Sequence, residues 1–67
     1  MEFKHEELVE RELEIAGYLK QGFSVKQVCN KIGLKKKIIA AHIRNMMEKL
    51  GTKDMKTLIE LLRSIRL

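Results

Sequence analysis

Apolar residues recur at helical spacing in four stretches of this 67-residue chain, and glycines or capping residues separate them. The first stretch predicts a helix over residues 6–21. Leu8, Glu12, Ile15 and Leu19 share one repeat, and Leu13, Ala16 and Tyr18 widen the stripe. Its opening turns are rich in glutamate, which complements the positive end of the helix dipole. Gly22 can supply the left-handed residue that stops it. The second helix is expected over 25–32. Ser24, followed three residues later by Gln27, makes a capping box. Val28, Cys29 and Ile32 then face inward, Gly33 redirects the chain, and Leu34 plugs the core beneath that turn.

The third helix is expected over 36–50 and has two unlike faces. Ile39, Ile43, Met46 and Leu50 follow one narrow line. Lys37, Ala40, Ala41, Arg44 and Glu48 fall on the opposite side. That opposite side is slim, and cationic near its N-terminal end. Gly51 ends the helix. The fourth helix is expected over 54–66, capped by Asp54 or Thr52. Met55, Leu58, Ile59, Leu61, Leu62 and Ile65 cover more of its circumference than one core contact needs, which points to self-association through this helix.

Composition agrees with four helices and nothing else. Proline is absent, and Leu, Ile, Met, Lys and Glu dominate. The expected fold is all-α: one compact four-helix domain, residues 1–67, with a central helix-turn-helix. A chain of this length buries only about 60% of its unfolded surface. Cys29 is the sole cysteine, so no disulfide or zinc framework supports the fold. It is read as a small packing residue, with a reactive thiol as the alternative. No apolar run approaches the roughly 18 residues of a membrane span, and the acidic N-terminus is not a signal peptide. A cytoplasmic location, away from membranes, is expected.

The net charge of +5 conceals a division. Residues 1–18 hold six glutamates against Lys4 and Arg11, a balance of −4; residues 19–67 hold twelve cations against three acids, a balance of +9. Within residues 20–53, Lys20, Lys26, Lys31, Lys35, Lys36, Lys37, Arg44, Lys49 and Lys53 face Glu48 alone. Cations gathered around one turn suit a polyanion, because each neutralised phosphate releases condensed counterions. Lys26 can reach a phosphate backbone on one side. Lys35, Lys36 and Lys37 surround the start of the third helix, where the dipole also favours phosphate. Lys37, Ala40, Ala41 and Arg44 form the base-facing set: Arg44 suits bidentate contact with guanine, and the alanines suit thymine methyls. His42 lies beside the apolar stripe, as a half-buried packing residue or a phosphate contact.

Catalysis has no support. The spacing offers no nucleophile with a base, His5 and His42 lack partners for a metal, and there is no glycine-rich phosphate loop. The N-terminal glutamates read as a solvated helix face. No enzyme activity, cofactor or small-molecule ligand is expected.

From Leu8 to about Leu62 the chain resembles the LuxR-type, or GerE-type, helix-turn-helix domain. Leu8-Val9-Glu10-Arg11-Glu12-Leu13-Glu14-Ile15 stands where the family has Leu-Thr-x-Arg-Glu-x-Glu-Val. Gly22-Phe23-Ser24-Val25-Lys26-Gln27-Val28-Cys29 resembles its Gly-x-Ser-Asn-Lys-Glu-Ile-Ala segment. Ile38 to Met46 is similar to its Thr-Val-Lys-x-His-x-x-Asn-Ile run, and Lys49-Leu50-Gly51 matches its Lys-Leu-Gly. The resemblance implies a bacterial transcriptional regulator, binding double-stranded DNA at repeated half-sites as a homodimer and touching RNA polymerase. It places base reading at Ala40, Ala41 and Arg44, phosphate contacts near Ser24, Lys26, Lys36, Lys37, His42, Asn45 and Lys49, and dimerisation on the fourth helix.

Four positions depart from the pattern. Val9 replaces a Thr cap, so the first helix is expected to begin earlier, within residues 3–7. Lys35 replaces the Ser/Thr cap of the third helix, a loss of about 1 kcal/mol. Ile38 replaces a Thr that often touches phosphate, and Ala40 replaces a frequent Lys. Two alternatives stay open: a protein-interaction module of the same fold with weak or no DNA binding, and the output domain of a larger response regulator. Met1 followed by charged residues fits a stand-alone chain slightly better than an excised one.

Overall fold

A computed structural model describes residues 9–65. Four helices follow in order: α1 (Glu10–Lys20), α2 (Val25–Ile32), α3 (Lys36–Leu50) and α4 (Met55–Ser64). α1 is the hub. It packs on α2, α3 and α4, while α2 packs on α3. The core is built by Ile15, Ala16 and Leu19 of α1, Val28 of α2, Ile39, Ile43, Met46 and Leu50 of α3, and Leu58 and Leu62 of α4.

The ends of α2 and α3 follow local chemistry. The Ser24–Gln27 capping box forms in both directions: Gln27 N–H donates to Ser24 Oγ at 3.2 Å, and Ser24 N–H donates to Gln27 Oε1 at 2.8 Å. Gly33 closes α2 with φ +82°, a left-handed conformation that costs other L-residues about 1–2 kcal/mol. Gly22 and Gly51 also take positive φ after α1 and at the end of α3. Across the first turn, Tyr18 and Phe23 stack with ring centroids 5.3 Å apart.

Both outer helices are shorter than their periodicity predicts. Val9 is the extended N-cap of α1, at φ −76° and ψ 164°, so that helix does not run through Val9. Valine has no side-chain acceptor, but half of a capping box survives: the Val9 N–H points to Glu12 Oε1 at 3.4 Å. Leu8, the expected helical residues 3–7, and Glu2, Glu6 and Glu7 lie outside the described residues. α4 ends at Ser64, and Ile65 is extended at φ −111° and ψ 156°. The Lys20 ammonium donates to the Ile65 carbonyl at 3.1 Å and ties that end to α1. Arg66 lies outside the described residues.

Two expectations about side chains fail. The glutamates of α1 do not form one solvated face: Glu10 and Glu14 are exposed, but Glu12 is only 2% exposed. It sits on the same stripe as Ile15 and Leu19, and Lys49 compensates its charge at 2.8 Å. Leu58 and Leu62, expected at a surface for self-association, are wholly buried. They are the residues α4 spends on its own domain.

Candidate nucleic-acid interface

α3 carries the site because its two faces separate cleanly. Ile39, Ile43, Met46 and Leu50 turn inward, each at most 6% exposed. Lys37, Ala40, Ala41 and Arg44, the residues predicted to face bases, are all exposed on the other side. The glycine turn at Gly33 and half-buried Leu34 set α3 against α2, and Lys36 at the start of α3 lines one groove with Val25, which stands between the exposed Ser24 and Lys26 at the start of α2. The α3 N-cap, Lys35, makes no side-chain cap, because an ammonium cannot accept an N–H, and its side chain is exposed to solvent.

The structure divides the nine cations of residues 20–53 into two groups. Lys20 is tied to the Ile65 carbonyl. Lys31 lies over the Phe23 ring at 5.6 Å, a cation–π contact. Lys49, predicted to touch phosphate, donates instead to Glu12. Lys26, Lys35, Lys36, Lys37, Arg44 and Lys53 remain exposed. Among the described residues only Arg11–Glu14 and Lys49–Glu12 form ion pairs, so none of these six is neutralised there.

The other predicted phosphate contacts also separate. Ser24 and Asn45 are exposed. Ser24 Oγ accepts from the Gln27 N–H, which leaves the hydroxyl proton to donate outward. His42 is half-buried, and its Nδ1 is buried without a hydrogen-bond partner. That favours the packing reading, with the Nε2 edge left for a ligand. Between the start of α2, α3 and the start of α4 lies an open groove of about 450 Å³. Val25, Ala40, Ile43, Met47 and Met55 give it an apolar floor, and Lys36, Arg44 and Lys53 a cationic rim.

On α4, Met55, Ile59 and Leu61 are half-buried, flanking the buried Leu58 and Leu62, and Ile65 just beyond the helix is half-buried too. The Glu12–Lys49 pair is the feature that sequence reasoning missed. Its signal was a glutamate on an otherwise apolar stripe, but the partner stands 37 residues away. Among the described residues no three His, Cys, Asp or Glu side chains gather where they could hold a metal ion, and no helix is long and apolar enough to cross a membrane.

A short capped helix, a glycine turn and a longer helix with a solvent-facing cationic side define a helix-turn-helix domain. The chain matches the family described as GerE, bacterial regulatory proteins, luxR family, over residues 6–62, and it belongs to that family. It is 37% identical over 51 residues to the transcriptional regulatory protein UhpA of Escherichia coli (strain K12), an alignment covering 76% of this chain and 26% of that protein. The UhpA of Salmonella typhimurium (strain LT2) is 35% identical over the same extent. The chain therefore spans about a quarter of the length of these curated relatives. No solved structure matches it at a significant level.

Proposed function

We propose that this domain regulates transcription in the cytoplasm by binding double-stranded DNA, with α3 in the major groove. The observation that carries the reading is the α3 surface itself. Lys37, Ala40, Ala41 and Arg44 are exposed together, opposite four core residues, with Lys26, Lys35 and Lys36 beside them. Arg44 reads a guanine; the lysines, Ser24 and Asn45 hold phosphates, and His42 adds its Nε2 edge. α3 begins without acidic residues in its first turn, so nothing there opposes an approaching phosphate.

Sequence specificity at repeated half-sites needs two copies. The dimer is proposed to form through Met55, Ile59 and Leu61 of α4 and Ile65 just after it, apolar residues that the domain does not fully cover. RNA polymerase is the proposed further partner. Curated relatives named transcriptional regulatory proteins support the reading as a transcriptional regulator.

A salt titration of duplex binding, read by fluorescence anisotropy, tests the reading. Affinity should fall steeply as salt rises. Arg44→Ala should cost about 1–3 kcal/mol at the preferred site and relax specificity there, whereas Lys26→Ala should weaken all duplexes alike and lower the salt slope by about 1. Absence of binding to any duplex at low salt would overturn the reading and leave a protein-interaction module of the same fold.

A further inference from the structure

Ile38 has no role so far. It is 42% exposed, one of two large apolar side chains that the described residues leave open to solvent. The other, Val9, precedes α1 at the edge of the domain. Ile38 instead occupies the first turn of α3. Ala41 and Asn45 stand three and seven residues further on, the spacing of one helix row, and both are exposed. Lys37, Ala41 and Arg44 form the neighbouring exposed row. Ile38 and Ala41 thus make a short apolar strip on the flank of α3, with the cations Lys37 and Arg44 along one side, and Ile38 lies about a quarter-turn from the core line of Ile39, Ile43 and Met46.

We infer that Ile38 determines specificity by packing on the 5-methyl group of a thymine in the major groove. The inference rests on the DNA-binding reading above. Three physical arguments support it. A sec-butyl side chain cannot hydrogen-bond phosphate, so its place in the first turn serves an apolar contact or none. In the major groove the one apolar landmark that distinguishes bases is the thymine methyl. Helical side chains lean toward the N-terminus, and the N-terminal residues of a recognition helix are those that reach base edges. Ile38 is also β-branched, and a β-branched residue in a helix holds essentially one χ1 rotamer. It meets a methyl group with little ordering to be done.

Replacing thymine by deoxyuridine removes that methyl and nothing else. A preferred duplex is first selected with this chain, and each thymine in a half-site is then replaced in turn. Wild type should lose about fourfold in affinity at one or two positions, the equivalent of about 0.8 kcal/mol for one buried methyl. Ile38→Ala should bind the thymine and deoxyuridine duplexes equally at one of those positions, and Ile38→Val should keep most of the discrimination. Thermal unfolding of both variants should stay near wild type, because the side chain is exposed. If Ile38→Ala keeps the full preference for thymine at every position, the inference fails while DNA binding stands. If no duplex is bound even at low salt, the DNA-binding reading fails and takes the inference with it.

Discussion

Lys49→Met should separate a structural lysine from a phosphate-binding one. In the native domain the Lys49 ammonium lies 2.8 Å from Glu12 Oε1, and the side chains are 35% and 3% exposed. Removing the ammonium leaves a buried carboxylate whose remaining hydrogen bond among the described residues is the long 3.4 Å approach of the Val9 N–H. Breaking a fully buried pair costs about 3–5 kcal/mol. Here the lysine end reaches water, which already weakens the pair, so a loss of about 1–3 kcal/mol is expected for the stranded group. A domain of this size has about 3–10 kcal/mol in total, so the loss is a large share. Each kcal/mol lowers Tm by about 4–8 °C. Urea unfolding followed by far-ultraviolet circular dichroism measures it. The double variant Glu12→Met with Lys49→Met should recover most of the loss, since apolar side chains of similar length can replace such a pair. Below the unfolding temperature, the salt slope of DNA binding should match wild type. A Lys49→Met variant as stable as wild type, a double variant as unstable as the two singles combined, or a salt slope reduced by about 1 would refute the structural role.

Three further outcomes follow from the helix ends. Gly33→Ala should destabilise by about 1–2 kcal/mol, because φ is +82° and no atom lies within 4 Å of the added Cβ, so the cost is backbone conformation alone; Gly33→Asn should cost less on the same urea midpoint. Asp54 accepts the Thr57 N–H at 2.8 Å, and that backbone bond, followed by the side-chain bond to Thr57, holds its carboxyl below the ordinary 3.8. A carboxyl lowered by folding stabilises fully above 3.8 and loses its contribution as pH falls through the folded value, so the stability gap between wild type and Asp54→Ala should be open at pH 6 and close on acidification below about 4. Lys35→Ser should raise stability by about 1 kcal/mol by giving α3 the cap it lacks, while lowering the salt slope of DNA binding by about 1; a variant that changes neither measurement would refute both roles of Lys35.

Sequence periodicity by itself determined the bounds of α2 and α3 and the inward line Ile39, Ile43, Met46, Leu50. The reason is local: a 3.6-residue repeat, a capping box spanning four residues and glycines at turns are all readable within one helix. The exposed set Lys37, Ala40, Ala41 and Arg44 was legible for the same reason, since the far side of a helix is defined once its near side is known. Tertiary structure alone decided which charges stay available. Lys20, Lys31 and Lys49 look no different in sequence from Lys26 or Lys37, yet a carbonyl 45 residues away, an aromatic ring before the start of α2 and a buried glutamate 37 residues away engage them. It also decided which of the apolar residues of α4 turn inward, burying Leu58 and Leu62 against α1 and leaving Met55, Ile59 and Leu61 half-covered. Helical repeats report direction around one axis, whereas burial depends on what another helix brings to that side.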